Sequence, residues 1–313
     1  MNKYILKRLG IAALTLLVIV FILFMMMKLM PGTPFNDEKL PPEKIASLMA
    51  KYGLDKPLYV QFFKYVVNLV KFDFGISYVI NKDISINLML STRVPTSIRI
   101  GLQAVALGTV IGLILGIVAA LKHNTIWDNL TTVISVLGVS VPSYVFALGL
   151  LYVFAFKLKL FPLLYSKVHP FQSSLLPTFS LSMFTIASIA RFTRTEMLEV
   201  LDSDYILLVE SKGISGSALI FRHALRNALI PIVTVLGPLV VGLMTGSLVV
   251  EKIFSIPGLG AMTTAAIQAN DYNVTIASTY IYSLMYIVIM LVVDISYGII
   301  DPRIRLAKEG SGE

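Results

Sequence analysis

Cysteine is missing altogether from the 313 residues, histidine occurs three times, tryptophan once, and charged residues make up only 14% of the chain. Without cysteine there are no disulfide staples, no thiolate metal sites and no Cys nucleophile. A soluble domain carries about 25% charged and roughly 45–50% apolar residues, so sparse charge beside 56% hydrophobic residues removes the soluble-enzyme class. His123, His169 and His223 all fall outside the long apolar runs, which leaves no base at membrane depth. Gly138-Val139-Ser140-Val141-Pro142 also lacks the second glycine of a nucleophile elbow, so an intramembrane hydrolase is excluded. Asp73-Phe74-Gly75 matches the kinase metal-binding tripeptide by letter, but no Gly-rich nucleotide loop, strand lysine or catalytic loop accompanies it. No Gly-x-x-x-x-Gly-Lys-Ser/Thr occurs either, so an ATP-driven process would need its ATPase on another chain. Ion channels and ion-coupled carriers place charged groups inside their spans, and here Asp294 is the best candidate. With Ser296 and Tyr297 beside it near the end of the last run, a capping or interfacial role suits it better.

Long apolar runs are abundant: Leu9–Met30, which carries only Lys28, and the charge-free Ile100–Leu121, Leu130–Phe156, Leu175–Ala190, Ala228–Val250 and Val274–Val293. A span needs about 20 residues to cross a core of about 30 Å. The first run is too long for a signal-peptide core and has no small-residue cleavage site before Pro31-Gly32-Thr33-Pro34, so it is read as a retained span. The fourth run covers only about 24 Å at 1.5 Å per residue unless Phe171–Ser174 joins it. It also contains Pro177, which suits a helix's first turn, so a re-entrant segment is its alternative. The sequence thus predicts an all-α, polytopic membrane protein with six transmembrane helices. The net charge of +8 is informative only through its placement. Lys3, Lys7, Arg8, Lys122, Arg191, Arg194, Lys212, Arg222, Arg226, Arg303, Arg305 and Lys308 fall on one face, against Lys157, Lys159, Lys167 and Lys252 in the opposite short loops. The positive-inside rule then puts both termini in the cytoplasm.

The expected division is an N-terminal transmembrane helix (1–30), an extracytoplasmic cap (31–97), a transmembrane core (98–300) with a cytoplasmic loop at 191–227, and a cytoplasmic tail (301–313). In the cap, Pro41-Pro42 opens a helix that Gly53 closes, and Pro57 opens another running through Lys71. Ala104, Gly108, Gly112, Gly116 and Ala120 recur at four-residue intervals, placing a small-residue ladder on one helix face, for helix packing or for sliding. Pro142, Pro231 and Pro238 lie inside runs, where kinks are expected.

The loop between the fourth and fifth runs is the informative segment. Asp202-Ser203-Asp204 offers N-caps, Tyr205, Leu208 and Val209 share a helical spacing, and Gly213 can end the helix in the left-handed conformation. A second start at Ser215 leads through Phe221-Arg222-His223-Ala224-Leu225-Arg226-Asn227 into the fifth span. A short helix, a sharp turn and a basic helix would suit a partner's groove; a basic topology anchor on anionic lipid is the alternative.

Asp204-Tyr205 through Lys212-Gly213, with Arg222-His223-Ala224-Leu225-Arg226-Asn227-Ala228-Leu229-Ile230-Pro231, resembles the ATPase-coupling loop of membrane subunits of binding-protein-dependent ABC importers. Gly246-Ser247-Leu248-Val249-Val250-Glu251, Phe254-Ser255-Ile256-Pro257-Gly258-Leu259-Gly260, Asp301-Pro302-Arg303-Ile304-Arg305, Tyr4-Ile5-Leu6-Lys7-Arg8 and Met30-Pro31-Gly32 extend the likeness over the whole chain. So do Gly53-Leu54-Asp55-Lys56-Pro57-Leu58 and Gly138 through Ser143. Together they resemble the first permease subunit of the oligopeptide/dipeptide/nickel importer family. The general coupling signature reads Glu-Ala-Ala, three residues, then Gly; here Leu207-Leu208-Val209 replaces the first three, and the Glu is missing.

The resemblance implies a type I ABC importer permease fold with a coupling helix between the fourth and fifth spans, in a bacterial cytoplasmic membrane. It implies a homologous second permease subunit, two ATPase subunits that bind ATP and Mg, an external binding protein and an oligopeptide substrate. This chain itself would hold no cofactor, metal or nucleic acid and catalyse nothing. The coupling residues it implies are Asp204, Tyr205, Leu208, Val209, Lys212, Gly213, Arg222, His223, Arg226 and Asn227. Dipeptides, nickel or its chelates, and haem are the alternative cargoes, an ATP-independent channel or carrier the alternative class.

Overall fold

The computed structural model describes residues 2–29 and 41–300. Among these residues the protein is helical throughout, with a single isolated antiparallel bridge between Ile76 and Ser85. The helices are α1 (Asn2–Leu29), α2 (Pro42–Tyr52), α3 (Leu58–Val70), α4 (Ile86–Leu121), α5 (Ile126–Ser140), α6 (Ser143–Leu150), α7 (Pro170–Leu201), α8 (Asp204–Ser211), α9 (Gly216–Ala218), α10 (Leu225–Met244), α11 (Leu248–Ile253), α12 (Leu259–Gln268) and α13 (Tyr272–Ile300). Two wider, π-helical stretches, Leu151–Lys157 and Leu219–Ala224, continue α6 and join α9 to α10. Four helical stretches are long and apolar enough to cross a membrane, and α5 with α6 makes a fifth if the bent pair is one span. The six expected spans are consistent with this set once the 28-residue α1 is added. Of the sequence features, Met30-Pro31-Gly32 and the Asp301–Arg305 motif lie outside the described residues, as does the Asp294 side chain.

Two expectations are sharpened. The third run was expected to be one span kinked at Pro142; it breaks at Val141-Pro142 and its two helices meet at 102°. Pro142 lacks the N–H that would continue the helix and forces Val141 into an extended conformation, at φ −89° and ψ 123°. The fourth run is a full helix of 32 residues that begins at Pro170, so Pro177 sits two turns in instead of in the first turn. The helix continues past it, and its low apolarity has another cause. In α7, 78% of the membrane-length window is buried, against 39% or less in the other three single-helix candidates. An inner helix needs small side chains more than greasy ones, and the buried Ser174, Ser180 and Ser182 return their hydroxyls to the carbonyls of Phe171, Pro177 and Phe179, each at 2.8 Å. Such back-bonding satisfies a hydroxyl without a neighbouring helix.

The helices divide into two compact units, Met1–Thr96 with Pro257–Ile287, and Ser97–Ile256 with Val288–Glu313. In the first, α2 and α3 form as the Pro and Gly signals require: Pro42 and Pro57 stand at the starts, and Gly53 at φ +70° ends α2, with backbone bonds to Ala50 and Met49. The Asp73-Phe74-Gly75 tripeptide is a turn, not a metal site: Asp73 Oδ1 accepts the Gly75 N–H at 3.0 Å, and Phe74 is buried with Phe24, Leu69 and Ile86. The polar centre of this unit is the buried Asp271, which accepts the Ser77 hydroxyl and the N–H groups of Tyr78, Val79 and Ile80. Four donors replace the water that this carboxylate loses on burial.

In the second unit α7 is the hub, packed by α5, α6 and α10 and, through the small-residue ladder, by α4. A Cβ at Gly108 would stand 2.6 Å from Thr185 Cβ, at Gly112 2.8 Å from Ile189 Cβ, and at Gly116 2.5 Å from Thr193 Cβ and 2.6 Å from the Ala190 carbonyl. Ala104 and Ala120 extend the same face and are buried. The ladder is therefore a packing surface. Gly138 repeats the device between α5 and α7, where its Cβ would meet Ala187 at 2.7 Å.

Because backbone and side chain both crowd the site, Gly116→Leu should destabilise the protein by roughly 1–3 kcal/mol or prevent its accumulation. Gly149→Ala, where an added Cβ meets nothing within 4 Å, should leave thermal unfolding in detergent unchanged. Equal melting of the two variants would contradict the close-approach account.

Candidate functional site

The loop after α7 folds as a helix, a left-handed turn and a second helix. Ser203 holds the N-cap position of α8, although its hydroxyl donates to the Val200 carbonyl at 2.6 Å instead of capping. At the other end Gly213 adopts φ +79°, its N–H reaches the Glu210 carbonyl at 2.8 Å, and the Ile214 N–H reaches the Val209 carbonyl at 3.3 Å. This pair of bonds is a Schellman turn, and the hydrophobic contact that accompanies it joins Val209 and Ile214. Ser215 then takes the N-cap position of α9, and the chain runs through the π-helical Leu219–Ala224 into α10 without a break.

What fixes α8 is its inner face. Ile206 and Val209 are buried among Met197 of α7, Ala120 at the end of α4, Leu219, and Ala224 and Ala228 at the base of α10. Fully burying such a side chain is worth about 1.5–3 kcal/mol. Of the three residues that sequence spacing placed together, Val209 is therefore an anchor, whereas Tyr205 and Leu208 face outward. The outer face is an apolar ridge in a charged rim: Leu207 is 66% exposed, Leu208 54% and Phe221 60%, with Asp204, Lys212, Arg222, Arg226 and Asn227 also exposed. The Tyr205 hydroxyl lies 2.8 Å from His223 Nδ1 and ties α8 to the π-helical stretch. Tyr205, His223 and Gly213 thus hold the shape, and the exposed charges surround the ridge. Nothing in this arrangement performs covalent chemistry, and no group of three or more potential metal ligands occurs among the described residues.

A second anchor was not singled out in the sequence. Asp128, 3% exposed in the first turn of α5, receives Nε and Nη2 of Arg194 on α7, the latter at 2.9 Å. It also accepts the Asn124 N–H at 3.0 Å, and His123 Nε2 stands 4.0 Å away. Such a fork-to-carboxylate bond fixes the loop 122–125 to the last turns of α7, which lead into α8. The signal was available: an acid at the edge of one apolar run and a base at the edge of another. Counting Arg194 only as a topology charge concealed it. The motif around Glu251 is likewise structural. Glu251 is buried, accepts the Ser97 hydroxyl at 3.1 Å, and its carbonyl takes the Ile256 N–H at 2.7 Å, while Val250, Phe254 and Ile256 fill a core with Ile100 and Leu181.

Residues 112–306 match the family described as binding-protein-dependent transport system inner membrane component, and residues 1–98 match the N-terminal component of the same systems. The chain is 46% identical over 306 residues to a dipeptide transport system permease protein of Lactococcus lactis, covering 98% of this chain and all of the relative. It is 42% identical to the dipeptide permease of Bacillus subtilis, covering 99% of this chain and all of that one. It is also 42% identical to an oligopeptide transport system permease protein of Haemophilus influenzae, covering 97% of this chain and all of that one. Among solved structures, a chain of the methionine ABC transporter MetNI in inward-facing form shares the fold, with a TM-score of 0.57 at 15% identity over 68% of this chain and 97% of that one. The chain belongs to the binding-protein-dependent transport permease family.

The two anchors carry separate expectations. Ile206→Ala should cost roughly 2–4 kcal/mol through lost burial and a cavity, while Leu207→Ala on the outer face should stay within about 0.5 kcal/mol. Arg194→Ala leaves Asp128 buried without its partner and should cost about 3–5 kcal/mol. Thermal unfolding of the purified variants reads all three, and an Ile206→Ala variant as stable as Leu207→Ala would contradict this packing.

Proposed function

Because the chain belongs to this permease family, we propose that it forms one half of the translocation path of an ATP-driven peptide importer. The other parts are a homologous second permease subunit, two ATPases that bind and hydrolyse ATP with Mg, and an external peptide-binding protein. The observation that carries this reading is the exposed ridge of Leu207, Leu208 and Phe221 on a helix whose inner face is clamped. A groove in an ATPase would cover this apolar ridge, with the charged rim at the edge of the contact.

The chain sits in a bacterial cytoplasmic membrane with both termini inside, as the basic residues of 191–227 support, with 31–97 as an extracytoplasmic segment and 98–300 as the transmembrane core. ATP-driven closure of the ATPase pair presses on α8, and α8 transmits the push to α10. Tyr205 with His223 and the Schellman turn at Gly213 stop α8 from yielding locally. The absent Glu of the general signature falls at Leu207, so the contact at that position is apolar here instead of an ion pair.

Relatives named as dipeptide permeases match at 46% and 42%, the Haemophilus oligopeptide permease at 42%. These figures favour dipeptides as a second reading beside the oligopeptides that the sequence motifs suggested.

Reconstituted with its partner subunits in liposomes, the protein should accumulate labelled peptide only with ATP and binding protein. Gly213→Pro imposes φ near −65° where the chain needs +79° and removes the N–H bonded to Glu210. It should abolish uptake while the assembled complex is still recovered. Peptide flux through the isolated chain without ATP would refute the proposal.

A further inference from the structure

The first unit holds a cavity of about 260 Å³ that the transport reading does not use. Lys28 enters it from the last turn of α1, Lys51 from α2, and Gln61, Lys64, Tyr65 and Asn68 from α3. Three ammonium groups thus stand against one carboxylate, Asp73, whose Oδ1 is already taken by the Gly75 N–H. Lys51 shares its charge with Asp83 at 3.4 Å, which leaves Lys28 and Lys64 as the cations that define the site.

Two buried polar atoms in the lining have no hydrogen-bond partner within the protein: the Tyr65 hydroxyl and Gln61 Oε1. The orientation of the Gln61 amide is settled by its own bonds, since its Nε2 donates to the carbonyls of Leu54 at 3.0 Å and Lys56 at 2.6 Å. The lining therefore offers a hydroxyl donor, an amide acceptor and ammonium groups together. Leaving a buried polar group without a partner is costly, and an anion that carries hydroxyls would satisfy both.

The position of these groups identifies the source of the anion. Lys28 lies in the last turn of α1, just past its apolar stretch Gly10–Met26, the depth at which a lysine meets lipid headgroups. Beside it, α3 leaves Tyr59 76%, Phe63 71% and Val70 72% exposed, as a helix lying in a membrane interface does. Phe24, Phe74 and Ile276 supply an apolar wall in the same cavity. We propose that this cavity is a binding site for the headgroup of an anionic phospholipid of the phosphatidylglycerol type, with the phosphate at Lys28 and Lys64 and the headgroup hydroxyls at Gln61 and Tyr65.

Native mass spectrometry of the assembled transporter, titrated with phosphatidylglycerol or phosphatidylcholine, tests the site. Wild type should retain one more phosphatidylglycerol than Lys64→Gln and bind it several-fold more tightly, with no such difference for phosphatidylcholine. Lys64→Arg should restore retention, and Lys28→Gln with Lys64→Gln should lose it entirely while thermal unfolding without added lipid stays unchanged. Competition by millimolar inorganic phosphate should have no effect; full displacement would mean a free-anion site and overturn the lipid assignment. Equal phosphatidylglycerol retention by wild type and the double variant would overturn it as well. So would unchanged retention accompanied by lost docking of the external binding protein, since an acidic protein surface would then be the occupant.

Discussion

The close approach of α4 and α7 is the contact on which the rest of the second unit depends. At Gly108, Gly112 and Gly116 there is no room for even a methyl group, so the two backbones lie nearly against each other. Between lipid-bathed helices apolar burial gives little drive, and close packing of small residues supplies it instead. With α4 seated there, most of α7 is buried and it takes on small polar residues, among them Ser174, Ser180 and Ser182, whose hydroxyls return to its own backbone. That inner helix then carries Met197, the floor under α8, and Arg194, which holds Asp128.

Buried carboxylates mark the other fixed points, and each is matched to donors. Asp128 has a guanidinium, Asp271 a hydroxyl and three backbone N–H groups, and Glu251 the Ser97 hydroxyl. These hydrogen bonds let them act as fasteners. Each joins segments far apart in sequence, and a carboxylate surrounded by so many directed donors has one geometry in which it is satisfied.

Much of this was legible in the sequence because its signals are local. Proline at 42 and 57, glycine at 53 and 213, and the four-residue ladder each act within one turn of helix, and each element forms where those residues demand. The permease family was legible from the coupling loop and the Glu251 motif. A kink at Pro142 was legible from its missing N–H, but its size, 102°, was not, because the apolar run continues across it. The full length of α7 was legible only by joining Phe171–Ser174 to the fourth run, since an inner helix is polar enough to look too short for a span. Spacing grouped Tyr205 with Val209, but which face of α8 is buried depends on Met197 and Ala120, residues on other helices. The Asp128–Arg194 bond, 66 residues apart, is of the same kind.

The absence of native cysteine makes the central claim, that the outer ridge of α8 sits in an ATPase groove, directly measurable. Leu207→Cys gives the chain one thiol on that ridge. In the assembled transporter a short thiol-to-amine crosslinker should join it to an ATPase subunit in high yield. The thiol should also be shielded from maleimide there and react freely when the ATPases are stripped away. Full maleimide reactivity in the intact complex, with no crosslinked product, would contradict the account and leave the loop a surface anchor.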